Sequence, residues 1–454
     1  MIKRIICIAQ ATALLVLMGV PALAQGETLG LSLRSATGAR AGSDGNLPQR
    51  GFEITFTGSA RAKDYTFTLK EKGSGAVLGT ATAAKGDNGV FLPADYDVAA
   101  PKSYLLEVTA NVDPQRAGLD RPHTASREFE TSFTCGCPAG TVGGFLYGDG
   151  ETIPFAVASA QQLQHVNAHL NKKFVQVADL DLGSYANWTP LGGNDLASFT
   201  GTYDGNGYTV RGLTCTWKDR AGLFGNIQGA TVQNLGVVGA NLSTPRGMAG
   251  AIAAECRDSV LRRCFALGGQ FVATVQSPEN PQSAVGGLIA QPADSTVEDC
   301  YAAGVTVQAC YAGGLAGSFS SHAGPDFATV RRCYAIPNSI ESFATNYGGT
   351  VNGSMNYRCV VDGIGYQNIT NPSLPALSYI RLPDGSSPNS NDHAVAGIYE
   401  VTAGQQGTFN FLSPGGAASA WEWGSADITG LGTVEVPVLK VFSEHPYTLS
   451  GVNA

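Results

Sequence analysis

Two histidines, His165 and His169, stand four residues apart behind Ser159, a helix N-cap residue. On a helix that spacing puts both imidazoles on one face, the geometry by which zinc proteases grip their metal. That motif needs a glutamate directly after the first histidine as general base, and Val166 stands there. No third ligand follows at metal-site spacing, so the pair reads as part of a short solvated cap. Asp179 and Asp181 alternate within Phe174–Leu182 and are expected to share one strand face. They come nearest to the paired carboxylates that glycoside hydrolysis requires. Glu298-Asp299 and the isolated Asp258, Asp294 and Asp326 form no clustered acid ladder. Asp204-Gly205-Asn206-Gly207 could begin a calcium loop, but Tyr208-Thr209-Val210 follows where a third oxygen ligand and a distal glutamate belong. Asn-Gly at that point predicts a tight turn with positive φ. Cys135-Gly136-Cys137 is too tight for easy zinc chelation and lacks a second pair. No serine elbow, phosphate-cradling glycine loop or Cys–His dyad is visible. The residues therefore assign no catalytic site, no metal and no cofactor.

The elements that would carry any such site are β-rich. Glycine numbers 58 of 454 residues, and charged residues make up 14%, against roughly 25% in an average globular chain. The chain opens with Lys3-Arg4, an apolar run from Ile5 to Pro21, and Ala22-Leu23-Ala24-Gln25. This is the pattern of a signal peptide over residues 1–24, cleaved before Gln25. No later stretch is long and apolar enough for a span, so no membrane span is expected after cleavage. Loss of Lys3 and Arg4 moves the net charge from −8 to −10. An acidic, lysine-poor chain lacks the basic stripe that nucleic acid demands. Nine cysteines remain once Cys7 is removed. The odd count leaves at least one thiol unpaired, and a disulfide, if formed, is expected at Cys135 or Cys137.

Residues 25–134 alternate apolar and polar side chains in short runs such as Phe52–Phe56, Tyr65–Leu69 and Tyr104–Val108. About seven such strands in ~110 residues predict an immunoglobulin-like β-sandwich. Beyond Cys135-Gly136-Cys137 the chain repeats itself. Ala221–Gly225, Ala249–Ala253, Gly286–Ala290, Gly313–Gly317 and the looser Gly348–Gly353 share a small-Gly-apolar pattern. After the first four come Val232–Leu235, Leu261–Ala266, Val297–Ala302 and Val330–Ala335. The central glycines lie 28, 37, 27 and 35 residues apart. Such a period with variable insertions predicts turns of a parallel β-helix, because one turn cannot bury its apolar face until the next stacks on it. Cys264, Cys300 and Cys333 hold the same repeat position and should stack as reduced thiols. Leu288 and Leu315 should be equivalent interior positions.

Phe199–Leu213, which contains Thr202-Tyr203-Asp204-Gly205-Asn206-Gly207, resembles the opening of GLUG-repeat proteins. That family is named for segments such as Gly222-Leu223-Phe224-Gly225. Ser159–Leu163, Phe174–Leu182, Trp188–Gly192 and the closing Trp421-Glu422-Trp423 and Val436–Lys440 fit the same order. The resemblance implies a right-handed parallel β-helix in an exported bacterial protein, a fold used in surface adhesins and beside the catalytic domain of some immunoglobulin A proteases. It carries no catalytic residues. The expected architecture is all-β: a sandwich over 25–134, a β-helix over 138–365, and an insertion with the final coil and cap over 366–454. The expected function is a cell-surface or extracellular adhesion module whose rod contacts a surface glycan or an extracellular protein. Tyr185, Trp188, Trp217 and Trp421 are candidates for stacking on sugar rings. A polysaccharide-degrading enzyme and a plain spacer are the alternatives.

Overall fold

A computed structural model describes residues 30–35, 50–59, 61–113, 115, 122–193, 197–274, 283–317, 329–336, 338–342, 378–380, 398–400, 419–428 and 432–444. Residues 1–24, read above as a signal peptide, Gly348–Gly353 and Asp326 lie outside them. The chain is all-β and its contacts divide it into two units, the first ending at Val157 and the second running from Ala158 to Pro446.

The first unit is antiparallel. Gly30–Ser35, Gly51–Thr57 and Gly89–Pro93 form one sheet, and Val77–Ala84, Ala62–Glu71, Ser103–Val112 and His123–Glu130 form another. Alternation decides which face is buried: Phe52, Ile54 and Phe56 are buried while Glu53, Thr55 and Thr57 are exposed. Phe56 of the first sheet packs 4.8 Å from Tyr65 and 5.1 Å from Phe67 of the second.

The second unit is built by parallel stacking. Thr202–Asp204 pairs with Thr231–Gln233, then Val260–Arg262, Thr296–Glu298 and Thr329–Arg331. Gly236–Thr244, Phe265–Ala273 and Tyr301–Ala309 stack in the same order. So do Met248–Gly250, Ala284–Gly286 and Tyr311–Gly313. Ala253–Arg257 and Ile289–Ala293 form a fourth series. Each circuit of the chain thus lays one strand on each series. Val232, Leu261 and Val297 form an interior column with no exposed surface. Leu288 is fully buried, and its N–H donates to the Leu315 carbonyl at 2.9 Å. Within the expected insertion and cap over 366–454, Ser378–Ile380 and Ile398–Glu400 extend the long-stranded sheet beyond Cys333–Ile336.

The glycine elements lie at a corner of each circuit, between Met248–Gly250 and Ala253–Arg257 and between Ala284–Gly286 and Ile289–Ala293. A Cβ on Gly250 would lie 2.4 Å from the Ala253 carbonyl oxygen, and one on Gly286 2.0 Å from that of Ile289. Glycine there admits neighbouring backbone. The left-handed corner falls in the second repeat element, at Asn206, Asn234, Arg263, Asp299 and Arg332, with φ between 50° and 55°. This conformation costs L-residues roughly 1–2 kcal/mol each. Cross-circuit side-chain bonds offset that cost. Asn234 Nδ2 donates to Asp204 Oδ1 at 2.8 Å, and Arg263 Nε to Asn234 Oδ1 at 2.6 Å. Arg332 donates to both Asp299 oxygens at 2.7 Å.

Directly after these corners, Cys264, Cys300 and Cys333 stack in a buried column of reduced thiols. The Cys264 N–H points at Cys300 Sγ, 3.4 Å away. Burial pushes the Cys300 thiol far above its ordinary pKa, with the thiols on either side adding to the rise.

Two outcomes follow. Leu288→Asp places an unpaired carboxylate in the column, costing several kcal/mol, and circular dichroism should show a melting temperature well below the parent's. Iodoacetamide should leave Cys264, Cys300 and Cys333 unmodified in the native chain and label all three in denaturant, as read by peptide mass mapping.

Candidate functional site

Three strands of nine residues, Gly236–Thr244, Phe265–Ala273 and Tyr301–Ala309, contain no charged residue. At the same register position each has a glycine in the left-handed region: Gly239 (φ 67°), Gly268 (φ 65°) and Gly304 (φ 65°). The column bends every strand at one point. A Cβ added to Gly239 or Gly268 would meet nothing within 4 Å, so bare backbone there faces open space. Gly304 is buried.

Beyond the bend, alternation sends Leu242, Phe271 and Val307 inward, with at most 2% exposure. Asn241 and Gln270 project outward and are exposed, while Thr306 is half-buried. They are register partners, preceded by Thr214 and followed by Ser339. Parallel stacking repeats such groups at about 4.8 Å. On the near side of the bend, Val238 and Leu267 pack against an apolar cluster. Phe265 stacks on Tyr301, and Tyr301 on Tyr334, each at 5.0 Å, beneath a hairpin formed by Trp421–Ile428 and Gly432–Leu439. Trp421 covers the rings, donating from Nε1 to Asp299 at 3.0 Å, and the Tyr334 hydroxyl donates to the Pro437 carbonyl at 2.7 Å. Together these residues make an uncharged surface crossed by glycine backbone at positions 239 and 268, apolar on one side and carrying neutral hydrogen-bonding groups on the other.

The residues singled out in the sequence fall elsewhere. His165 ends the helix Ala160–His165 and His169 follows the 3-10 turn Val166–Ala168. Ser159 caps that helix as expected, accepting from the Gln162 N–H at 3.3 Å. Both imidazoles are half-buried rather than solvated, because Gln164 and Asn167 tie the segment to the Thr189 and Pro190 carbonyls. Burial lowers the pKa of both, and for His169 the charges of His165 and Lys172 add to the effect. Asp179 and Asp181 do not share a strand. The chain bends after Lys173–Gln176, and only Asp181 enters the next strand, Leu180–Asp181. Asp179 accepts from the N–H and hydroxyl of Thr209, and Asp181 accepts from the Gly183 N–H. Asp204–Gly207 is the expected tight turn, with Asn206 and Gly207 both at positive φ. The Asp204 carboxylate accepts from the Asn206 N–H, the Asn234 side chain and the Gln233 side chain.

Of the four aromatic candidates, Trp188 and Trp421 are core, 0% and 1% exposed. Tyr185 and Trp217 are half-buried, and Trp423, two residues beyond Trp421, is 41% exposed. Sequence reasoning passed over Glu255, which is only 1% exposed and ion-paired with Arg220 and Arg257. A buried carboxylate persists only when so paired. Cys135 and Cys137 are half-buried, and burial with the neighbouring Cys135 thiol pushes Cys137 up to about 11.

No family profile and no curated protein matches the sequence. A crystal structure titled "a putative immunoglobulin A1 protease from Bacteroides ovatus" is similar over 64% of this chain and 93% of that one. Its sequence identity is 16% and its TM-score 0.39.

Trp421→Ala removes the ring lying 6.1 Å from Tyr301 and 5.8 Å from Tyr334. It should cost about 3–5 kcal/mol in urea unfolding. Trp423→Ala should change stability by less than about 0.5 kcal/mol.

Proposed function

We propose that the protein is an exported binding module whose uncharged, glycine-lined surface forms a trough that holds an uncharged glycan. The architecture assigned to it is an immunoglobulin-like sandwich followed by a right-handed parallel β-helix of GLUG type, acting at the cell surface or outside the cell. The observation that carries the reading is the chemistry of that surface. A floor without side chains lets an extended polymer lie against backbone, and Asn241, Gln270 and Thr306 offer paired donors and acceptors at a regular rise. The absence of charge on the three long strands disfavours nucleic acid and acidic polymers. Trp423, exposed on the hairpin, supplies an aromatic surface of the kind that stacks on sugars. The three strands carry no carboxylate, whereas glycoside hydrolysis needs two facing the bond. Binding without cleavage is therefore the reading this surface supports.

The test is an array of neutral oligosaccharides probed with the parent and two variants. Gly268→Asn should retain the fold, since asparagine tolerates the left-handed region, and its side chain should block the trough and abolish binding. Asn241→Ala with Gln270→Ala should weaken binding by ten-fold or more, at about 1 kcal/mol or more per lost hydrogen bond. Equal binding by Gly268→Asn and the parent would remove the trough from the account. Release of reducing ends from a polysaccharide panel would move the protein among the enzymes.

A further inference from the structure

Five side chains hold one register position along the long-stranded sheet: Thr214, Asn241, Gln270, Thr306 and Ser339, one from each of five successive circuits. None is charged. Asn241, Gln270 and Ser339 are exposed, and Thr214 and Thr306 are half-buried. In four of these circuits a left-handed glycine stands two residues earlier, at Gly212, Gly239, Gly268 and Gly304, with φ between 65° and 67°. Each strand therefore turns at the same point, and the polar rungs stay in line.

The corner column of the same stack behaves differently. There the polar side chains bond one another between circuits, Gln233 to Asp204, Arg262 to Gln233 and Arg332 to Asp299. In the five-residue column, among the described residues, only Thr306 has a side-chain hydrogen bond, accepting from Asn338 Nδ2 at 3.3 Å. Amides on stacked strands can bond as a ladder, yet Asn241 and Gln270 leave donors and acceptors uncommitted on rungs about 4.8 Å apart.

A ligand that satisfies this column must repeat a neutral polar group once per rung. In β-1,4-linked glucose, mannose or xylose chains both glycosidic bonds of each ring are equatorial. Such a chain is an extended ribbon that advances by close to one rung per ring. Alternate rings are turned over, but hydroxyls line both edges, so none falls out of step. An α-1,4 linkage makes the chain coil, and its hydroxyls leave the line of a straight column. A chain bearing carboxylates or sulfates would bring charge to a column that holds no cation.

We propose that this column reads an extended, neutral β-1,4-linked glycan lying along the stack, one sugar ring per circuit. The inference rests on the glycan reading above and adds the linkage and the direction of the chain.

The full chain is titrated by calorimetry with neutral oligosaccharides of increasing length, one series β-1,4-linked and one α-1,4-linked. Affinity in the β-1,4 series should climb with each ring up to five, one per rung, and then level. The α-1,4 chain of the same length should bind at least about ten-fold more weakly. Thr214→Ala with Ser339→Ala strips both end rungs. It should bring the plateau down to three rings and leave the trisaccharide's affinity unchanged, with far-UV circular dichroism checking the fold. A β-1,4 series that gains nothing beyond two rings, an α-1,4 series bound equally well, or an unshortened plateau in the double variant would overturn the inference and leave glycan binding in place. Binding of no neutral oligosaccharide would sink it together with the reading it rests on.

Discussion

The second unit depends on one constraint: no single circuit of the chain can bury its own apolar face. Val232 is buried because Leu261 lies over it, and Leu261 because Val297 does. Each backbone likewise completes its hydrogen bonds on the next, as Ile252 does with Leu288 and Leu288 with Leu315. Stability in such a stack is a sum over neighbouring interfaces, so damage at one circuit weakens those on either side. The glycines of the repeat serve the same contact. At Gly222, Gly250 and Gly286 backbone of the next circuit comes within 2.5–2.7 Å of where a side chain would begin.

The constraint also sets the register. A stack of near-identical turns could slip, and the corner residues oppose slippage by changing character from circuit to circuit. Gln233 and Asn234 are neutral, Arg262 and Arg263 basic, Glu298 and Asp299 acidic, and Arg331 and Arg332 basic again. Neighbouring corners are chemically matched, as in the Arg332–Asp299 pair, and a slip past the acidic corner would set the basic pairs Arg262-Arg263 and Arg331-Arg332 against each other. The aromatic stack from Phe265 to Tyr334 adds a second fixed column, and the hairpin bearing Trp421 shields it from water.

Much of this was legible in the sequence because the signal repeats. The recurring glycine element and the Val-x-x-Cys element locate the stacked strands, and the shared position of Cys264, Cys300 and Cys333 foretells their column. Single residues were read less well. Asp179 and Asp181 look like alternating strand positions, yet a corner separates them, and no local feature of Val177-Ala178 announces it. Trp421 looks available until a hairpin 87 residues beyond Tyr334 and 120 beyond Tyr301 in sequence folds its ring onto them. The glycine-lined surface was missed because glycines that turn a corner and glycines that leave backbone exposed look alike in sequence. The distinguishing signal was the run of three long strands without a charge.

The central claim is that this uncharged groove holds a neutral glycan. A crystal structure of the chain with an oligosaccharide selected from the array tests it most directly. The account predicts sugar rings along Gly239 and Gly268, with hydroxyls within hydrogen-bonding distance of the Asn241 and Gln270 side chains. Sugar bound elsewhere on the protein while the trough stays open to solvent would contradict it.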